Sequence, residues 1–92
     1  MTDAEIEIEN KAIAREYKEL LGISYQTLTQ EDKVIIRKAF DVAVEAHKDQ
    51  RRKSGEAYIF HPIGVAKIVA SEIGLGPTGI AAALMHDVVE DS

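Results

Sequence analysis

The chain has 92 residues, 46% of them apolar and 29% charged, the balance of one globular domain with a modest core. It has no Cys, so disulfides and thiolate metal sites are excluded, and any metal must be held by His, Asp or Glu. The net charge of −5 lies wholly before Lys33, which gives no sign of a nucleic-acid surface. No apolar run approaches the roughly 18–20 residues of a membrane span.

Met1 to Asn10 is acidic and has no apolar core, so no signal peptide is expected, and the expected location is the cytoplasm. Thr2 or Asp3 can cap a first helix, and Thr2 followed by Glu5 has capping-box spacing. Ile6, Ile13, Tyr17, Leu20 and Leu21 form its rough apolar stripe, and Gly22 can stop it. Glu and Lys fill the rest, which predicts a peripheral helix. Ile23 to Leu28 is expected to be a linker.

Thr29 is a good N-cap, with Glu31 and Asp32 in the turn where the helix dipole favours them. The helix it opens is predicted to run to about Lys48. Its expected buried face is Val34, Ile35, Ala39, Val42, Ala43 and Ala46, flanked by Phe40. His47, at its end, is expected to pack against a neighbour rather than to bind a ligand.

Asp49 to Tyr58 is a polar loop with three consecutive cations, Arg51, Arg52 and Lys53, before Ser54-Gly55. Two readings stand side by side. One is a solvated loop; the other is an anion site, because Arg forks onto phosphate and stacks on flat rings. A third helix is predicted to open at Pro62, with His61 as its cap. It carries Ile63, Val65, Ala66, Ile68 and Val69 and is expected to end near Gly74.

Gly76-Pro77 starts a last helix whose Ala81 to Met85 segment has no polar side chain. His86, Asp87, Glu90 and Asp91 then follow within six residues. Unpaired charges are costly in a core, and carboxylates are disfavoured at a helix C-terminus. One reading is an exposed C-terminal turn with a solvated acidic end; the other is a site beside something positive, a metal ion being one candidate, which would remove the dipole objection. His86 lies one turn from Glu90, and Asp87 one turn from Asp91. His61, at the mouth of the preceding helix, can converge with His86 and Asp87 on one ion. Four helices and short loops predict an all-α helical bundle.

Three ordered blocks carry a resemblance: Arg52-Lys53-Ser54-Gly55-Glu56, Tyr58-Ile59-Phe60-His61-Pro62 and His86-Asp87-Val88-Val89-Glu90-Asp91. Together they resemble the hydrolase domain of the RelA/SpoT-homologue proteins. These belong to the HD-domain metal-dependent phosphohydrolases and make and destroy the alarmone (p)ppGpp. The resemblance covers about Val34 to Ser92. It implies an HD-domain-like fold, first half only, with residues 1–28 as an N-terminal helix and linker and residues 29–92 as the N-terminal half of the hydrolase domain.

The resemblance also implies roles. His61, His86 and Asp87 would be metal ligands, with Mn2+ the usual ion. Glu90 and Asp91 would orient and activate the attacking water. Arg52 would stack on guanine, with Lys53 and Ser54 helping to hold the nucleotide. The implied reaction is hydrolysis of the 3′-diphosphate of (p)ppGpp to pyrophosphate and GDP or GTP. Two departures stand out. Ala57 replaces a frequent Pro, and the chain stops at Ser92, short of the fourth ligand, a downstream aspartate, and of any synthetase domain. The expectations that follow are weak or no hydrolysis by this chain alone and a homo-oligomer through helix 80–89 or 34–46, because large unpartnered apolar faces usually find a partner. The rival readings are another HD-type nucleotide phosphohydrolase and a non-catalytic helical interaction module.

Overall fold

The computed structural model describes residues 1–23, 28–72 and 76–91, with side chains through Val88. Most of the expected linker, residues 24–27, lies outside the described residues, as do residues 73–75 and Ser92. The fold is all-α, with four helices in the order α1 (Asp3–Ile23), α2 (Gln30–Ala46), α3 (Phe60–Ala70) and α4 (Pro77–Asp91).

Local chemistry sets two of the helix starts. The Glu5 amide donates to Thr2 Oγ1 at 3.2 Å, and the Thr2 amide donates back to Glu5 Oε1 at 3.2 Å. At α2, the Asp32 amide donates to Thr29 Oγ1 at 3.1 Å and the Thr29 amide to Asp32 Oδ2 at 2.9 Å. Each pair satisfies two amides that a helix start otherwise leaves without partners.

α4 packs against both α2 and α3, and α1 packs against α3. Ile80, Ala83 and Leu84 of α4 are buried with Ile36, Ala39, Phe40 and Ala43 of α2 and with Ile59, Ile63, Ala66 and Ala70 at α3. Tyr17 and Leu20 of α1 join the same cluster, and the Tyr17 ring stacks on Phe40 with centroids 4.2 Å apart. The first half of α1, with Ile6 and Ile8 exposed, is peripheral as expected, whereas its second half belongs to the core.

The buried face of α2 differs from the expectation. It is Ile36, Ala39, Phe40 and Ala43, whereas Val34, Ile35 and Val42 are about half exposed and Ala46 is exposed. Apolar residues cover more than half of this helix's circumference, so several stripes fit the helical period. Packing against α4, with Tyr17 against Phe40, selects the one that is used.

α3 starts earlier than expected. Ala57 to Phe60 already form a turn in which the Phe60 amide donates to the Ala57 carbonyl and the His61 amide to the Tyr58 carbonyl. His61 and Pro62 therefore sit inside the first helical turn, where the missing proline N–H costs no intrahelical bond. α3 ends at Ala70 rather than near Gly74, closed by Ser71 Oγ donating to the Ile68 carbonyl at 2.7 Å. Ile68 is exposed.

The polar loop is more ordered than a solvated run. Arg51 and Ala57 form an antiparallel bridge, the Arg52 amide donates to the Glu56 carbonyl, and the Tyr58 amide donates to the Gln50 carbonyl. Gly55, at φ 94°, closes this narrow hairpin in a conformation that side chains disfavour. No described helix is long and apolar enough to cross a membrane.

Candidate metal centre

Packing of α3 on α4 brings the first turn of one helix beside the later turns of the other. His61, His86 and Asp87 meet there, each half-buried, each offering one donor atom, with these atoms within 4.8 Å of one another. Two ligands each about 2.1 Å from one ion lie at most about 4.2 Å apart, so a small closing of side chains makes them a ligand set. His61 Nε2 lies 3.7 Å from Asp87 Oδ2, and His86 Nε2 lies 3.1 Å from Asp87 Oδ1. The two carboxylate oxygens thus face different imidazoles.

The tautomer of His86 is set by its neighbour. Its Nδ1 lies 2.6 Å from the Ala83 carbonyl oxygen, which can only accept, so Nδ1 carries a hydrogen, and in the neutral ring Nε2 is the nitrogen left to offer a lone pair. Neutral imidazole nitrogen and carboxylate oxygen suit Mn, Zn or Fe, and the donor types alone do not choose among them. The residues present fit a divalent ion.

Behind this cluster stands Tyr58. Its hydroxyl donates to Asp87 Oδ2 at 2.8 Å. Its ring lies 5.8 Å from that of His61, edge-on, and 4.7 Å from that of His47. His47 is 4% exposed, bonds Gln50 Oε1 through Nδ1, and has no partner for Nε2 among the described residues. It packs on Tyr58 and lies outside the ligand group, as its helix-terminal position predicted. Tyr58 has no role legible in the sequence alone. Its signal was weak: a tyrosine joins an apolar ring to a polar handle, but nothing in its spacing from Asp87 shows that the two meet.

Tyr58 also lines an open cavity of about 590 Å³ with Arg51, Arg52, Lys53, Ser54 and Glu56. The predicted nucleotide-contacting residues Arg52, Lys53 and Ser54 therefore line a cavity that shares a side chain with the surroundings of the metal cluster. The three cations are not equivalent. Arg51 is paired with Glu9 on α1, and Arg52 reaches Glu56 at 3.4 Å. Lys53 has no carboxylate partner among the described residues. Glu90 and Asp91 lie on the last turn of α4, and their side chains fall outside the described residues.

The HD domain family profile matches residues 39–92. The chain is 41% identical over 73 residues to the bifunctional (p)ppGpp synthase/hydrolase RelA of Mycobacterium tuberculosis, covering 79% of this chain and 10% of that protein. It is 41% identical over 75 residues to the guanosine-3′,5′-bis(diphosphate) 3′-pyrophosphohydrolase of Vibrio cholerae, covering 82% and 10%. It is 47% identical over 75 residues to the bifunctional (p)ppGpp synthase/hydrolase SpoT of Escherichia coli, covering 80% and 10%. The chain spans about a tenth of the length of these relatives. The profile match over more than half of the chain, with the three motif blocks inside or just beside the packed α3–α4 pair, leads to one conclusion: the chain belongs to the HD domain family, in the branch of the RelA/SpoT homologues.

Proposed function

We propose that this chain supplies metal ligands and nucleotide contacts for hydrolysis of the 3′-diphosphate of (p)ppGpp, giving pyrophosphate and GDP or GTP. The observation that carries this reading is the convergence of His61, His86 and Asp87 beside a cavity lined by Arg52, Lys53 and Ser54. The names of the Vibrio and Escherichia relatives supply the substrate. In this reading residues 29–92 form the N-terminal half of the hydrolase domain, residues 1–28 precede it as helix and linker, and the site is cytoplasmic.

His61, His86 and Asp87 would hold a divalent ion, Mn2+ in this reading. When bound, a divalent ion supplies a water of lowered pKa and polarises a phosphoryl oxygen. Glu90 and Asp91 would orient the attacking water and accept its proton. The Arg52 guanidinium covers the guanine face, a contact worth roughly 0.5–2 kcal/mol. Lys53 and Ser54 hold the phosphates, Lys53 as a point charge and Ser54 as a hydroxyl donor.

The test is nucleotide binding in the presence of Mn2+, with ppGpp, dGTP and a cyclic nucleotide as competitors. Mn2+-dependent preference for ppGpp, lost in Arg52→Ala, is the expected result. Equal binding of all three assigns the site to another nucleotide phosphohydrolase, and no binding of metal or nucleotide leaves a helical interaction module. We also propose that the chain self-associates. Ile80, Ala83 and Leu84 are covered within the chain, so the contact falls on Val34, Ile35 and Val42 of α2. Size-exclusion chromatography with light scattering checks it, and a monomer at high concentration overturns it.

A further inference from the structure

We infer that Tyr58 is a positioning residue for Asp87, and that the turn from His47 to Gln50 exists to hold Tyr58 in place. The inference rests on the metal reading of the His61–His86–Asp87 cluster and adds a residue to it.

A carboxylate ligand has two oxygens and free rotation about its terminal bond. An ion shared with two imidazoles needs one orientation of that group. The Tyr58 hydroxyl supplies it, donating to Asp87 Oδ2 at 2.8 Å and so fixing the plane in which Oδ1 faces His86. Asp87 is only 15% exposed at its side chain, so water competes poorly for this bond.

Tyr58 is itself constrained on three sides. Its amide donates to the Gln50 carbonyl at 3.1 Å, and its carbonyl accepts from the His61 amide at 2.9 Å. Its ring packs on the buried His47 ring. Gln50 closes the arrangement: its amide donates to the His47 carbonyl at 3.0 Å, and its side-chain oxygen accepts from His47 Nδ1. One turn therefore fixes the backbone and the ring of the residue that orients the carboxylate. The same residue hands its carbonyl to the first turn of α3, which carries His61. Outer partners of this kind, when removed, typically cost about 10–100-fold in metal affinity.

The experiment is Co2+ titration of the 92-residue chain, read by visible absorption, for wild type, Tyr58→Phe and Asp87→Asn, with helicity followed by circular dichroism. The phenylalanine keeps the ring and removes only the hydroxyl. The expected result is loss of binding in Asp87→Asn and about 10–100-fold weaker binding in Tyr58→Phe at unchanged helicity. A second readout needs no substitution. In a Zn2+ titration of wild type, the Tyr58 13Cζ resonance, assigned by through-bond correlation, is expected to move with the midpoint of metal binding. Wild-type affinity in Tyr58→Phe, or a stationary 13Cζ resonance through saturation, overturns the inference and leaves the metal site standing. A wild-type chain that binds neither ion removes the metal reading, and this inference with it.

Discussion

Arg51 and Glu9, forty-two residues apart in sequence, face each other fork to fork, both terminal guanidinium nitrogens meeting both carboxylate oxygens. The bond to Glu9 holds the Arg51 guanidinium above its ordinary pKa, against the opposing effect of desolvation. It ties the hairpin that carries Arg52 and Lys53 to the first half of α1. Glu9→Gln is expected to leave the melting temperature nearly unchanged, because the pair is partly solvated. It is expected to speed amide exchange at residues 52–56 and to weaken Mn2+-dependent ppGpp binding. Exchange rates equal to wild type would disprove the tether.

A second clasp joins α1 to α3, where Lys67 Nζ lies 3.0 Å from both Glu16 Oε1 and Glu19 Oε2. The hydrogen bond from Lys67, then the one with Glu16, hold Glu19 below its usual 4.5. Burial pushes Lys67 down, but the bonds to Glu16 and Glu19 outweigh it and leave the ammonium above its usual 10.5. A lowered carboxylate stabilises above its unfolded pKa and loses that contribution as pH falls through the folded value. A raised ammonium stabilises below its unfolded pKa and loses the contribution as pH rises through the folded value. The clasp is therefore complete between pH 4.5 and 10.5 and weakens on either side. Melting curves of wild type and Lys67→Met should differ most inside this window and converge toward pH 2. A difference that persists at pH 2 contradicts the assignment.

Leu84 and Ile68 make opposite predictions from similar side chains. Leu84 is fully buried between α2 and α3, whereas Ile68 projects from α3 into solvent. Leu84→Ala is expected to cost about 2–5 kcal/mol in urea denaturation. Ile68→Ala is expected to stay within about 0.5 kcal/mol. A large cost at Ile68 would mean that another surface covers α3.

Metal loading should register as stability. An ion that binds the folded chain alone stabilises it by about 2.7 kcal/mol at a hundred times its dissociation constant. Mn2+ is expected to raise the melting temperature of wild type, chelation to reverse the rise, and His86→Ala to abolish it. A shift of equal size in His86→Ala places the ion elsewhere.

What the sequence made legible follows from distance along the chain. Thr2 with Glu5 and Thr29 with Asp32 act within one turn, and both appear as reciprocal caps. His61, His86 and Asp87 were legible as a group because a helical hairpin returns α4 to the mouth of α3. The buried stripe of α2 was not, since Val34, Ile35 and Val42 fit a helical period as well as Ile36, Ala39, Phe40 and Ala43 do, and only neighbouring helices separate the two. Tyr58 escaped for the same reason: its bond to Asp87 spans twenty-nine residues and leaves no periodic trace.

The Ala83 carbonyl has two clients. In an α-helix it accepts the amide hydrogen of Asp87, and here it also accepts Nδ1–H of His86. A single oxygen on α4 thus fastens the nitrogen donor's ring and the oxygen donor's backbone. Fraying that reaches this rung releases both, and an ion held by both side chains would clamp the rung shut. Protection of the Asp87 amide from deuterium should then rise in step with occupancy, making the end of α4 a gauge of whether the site is filled.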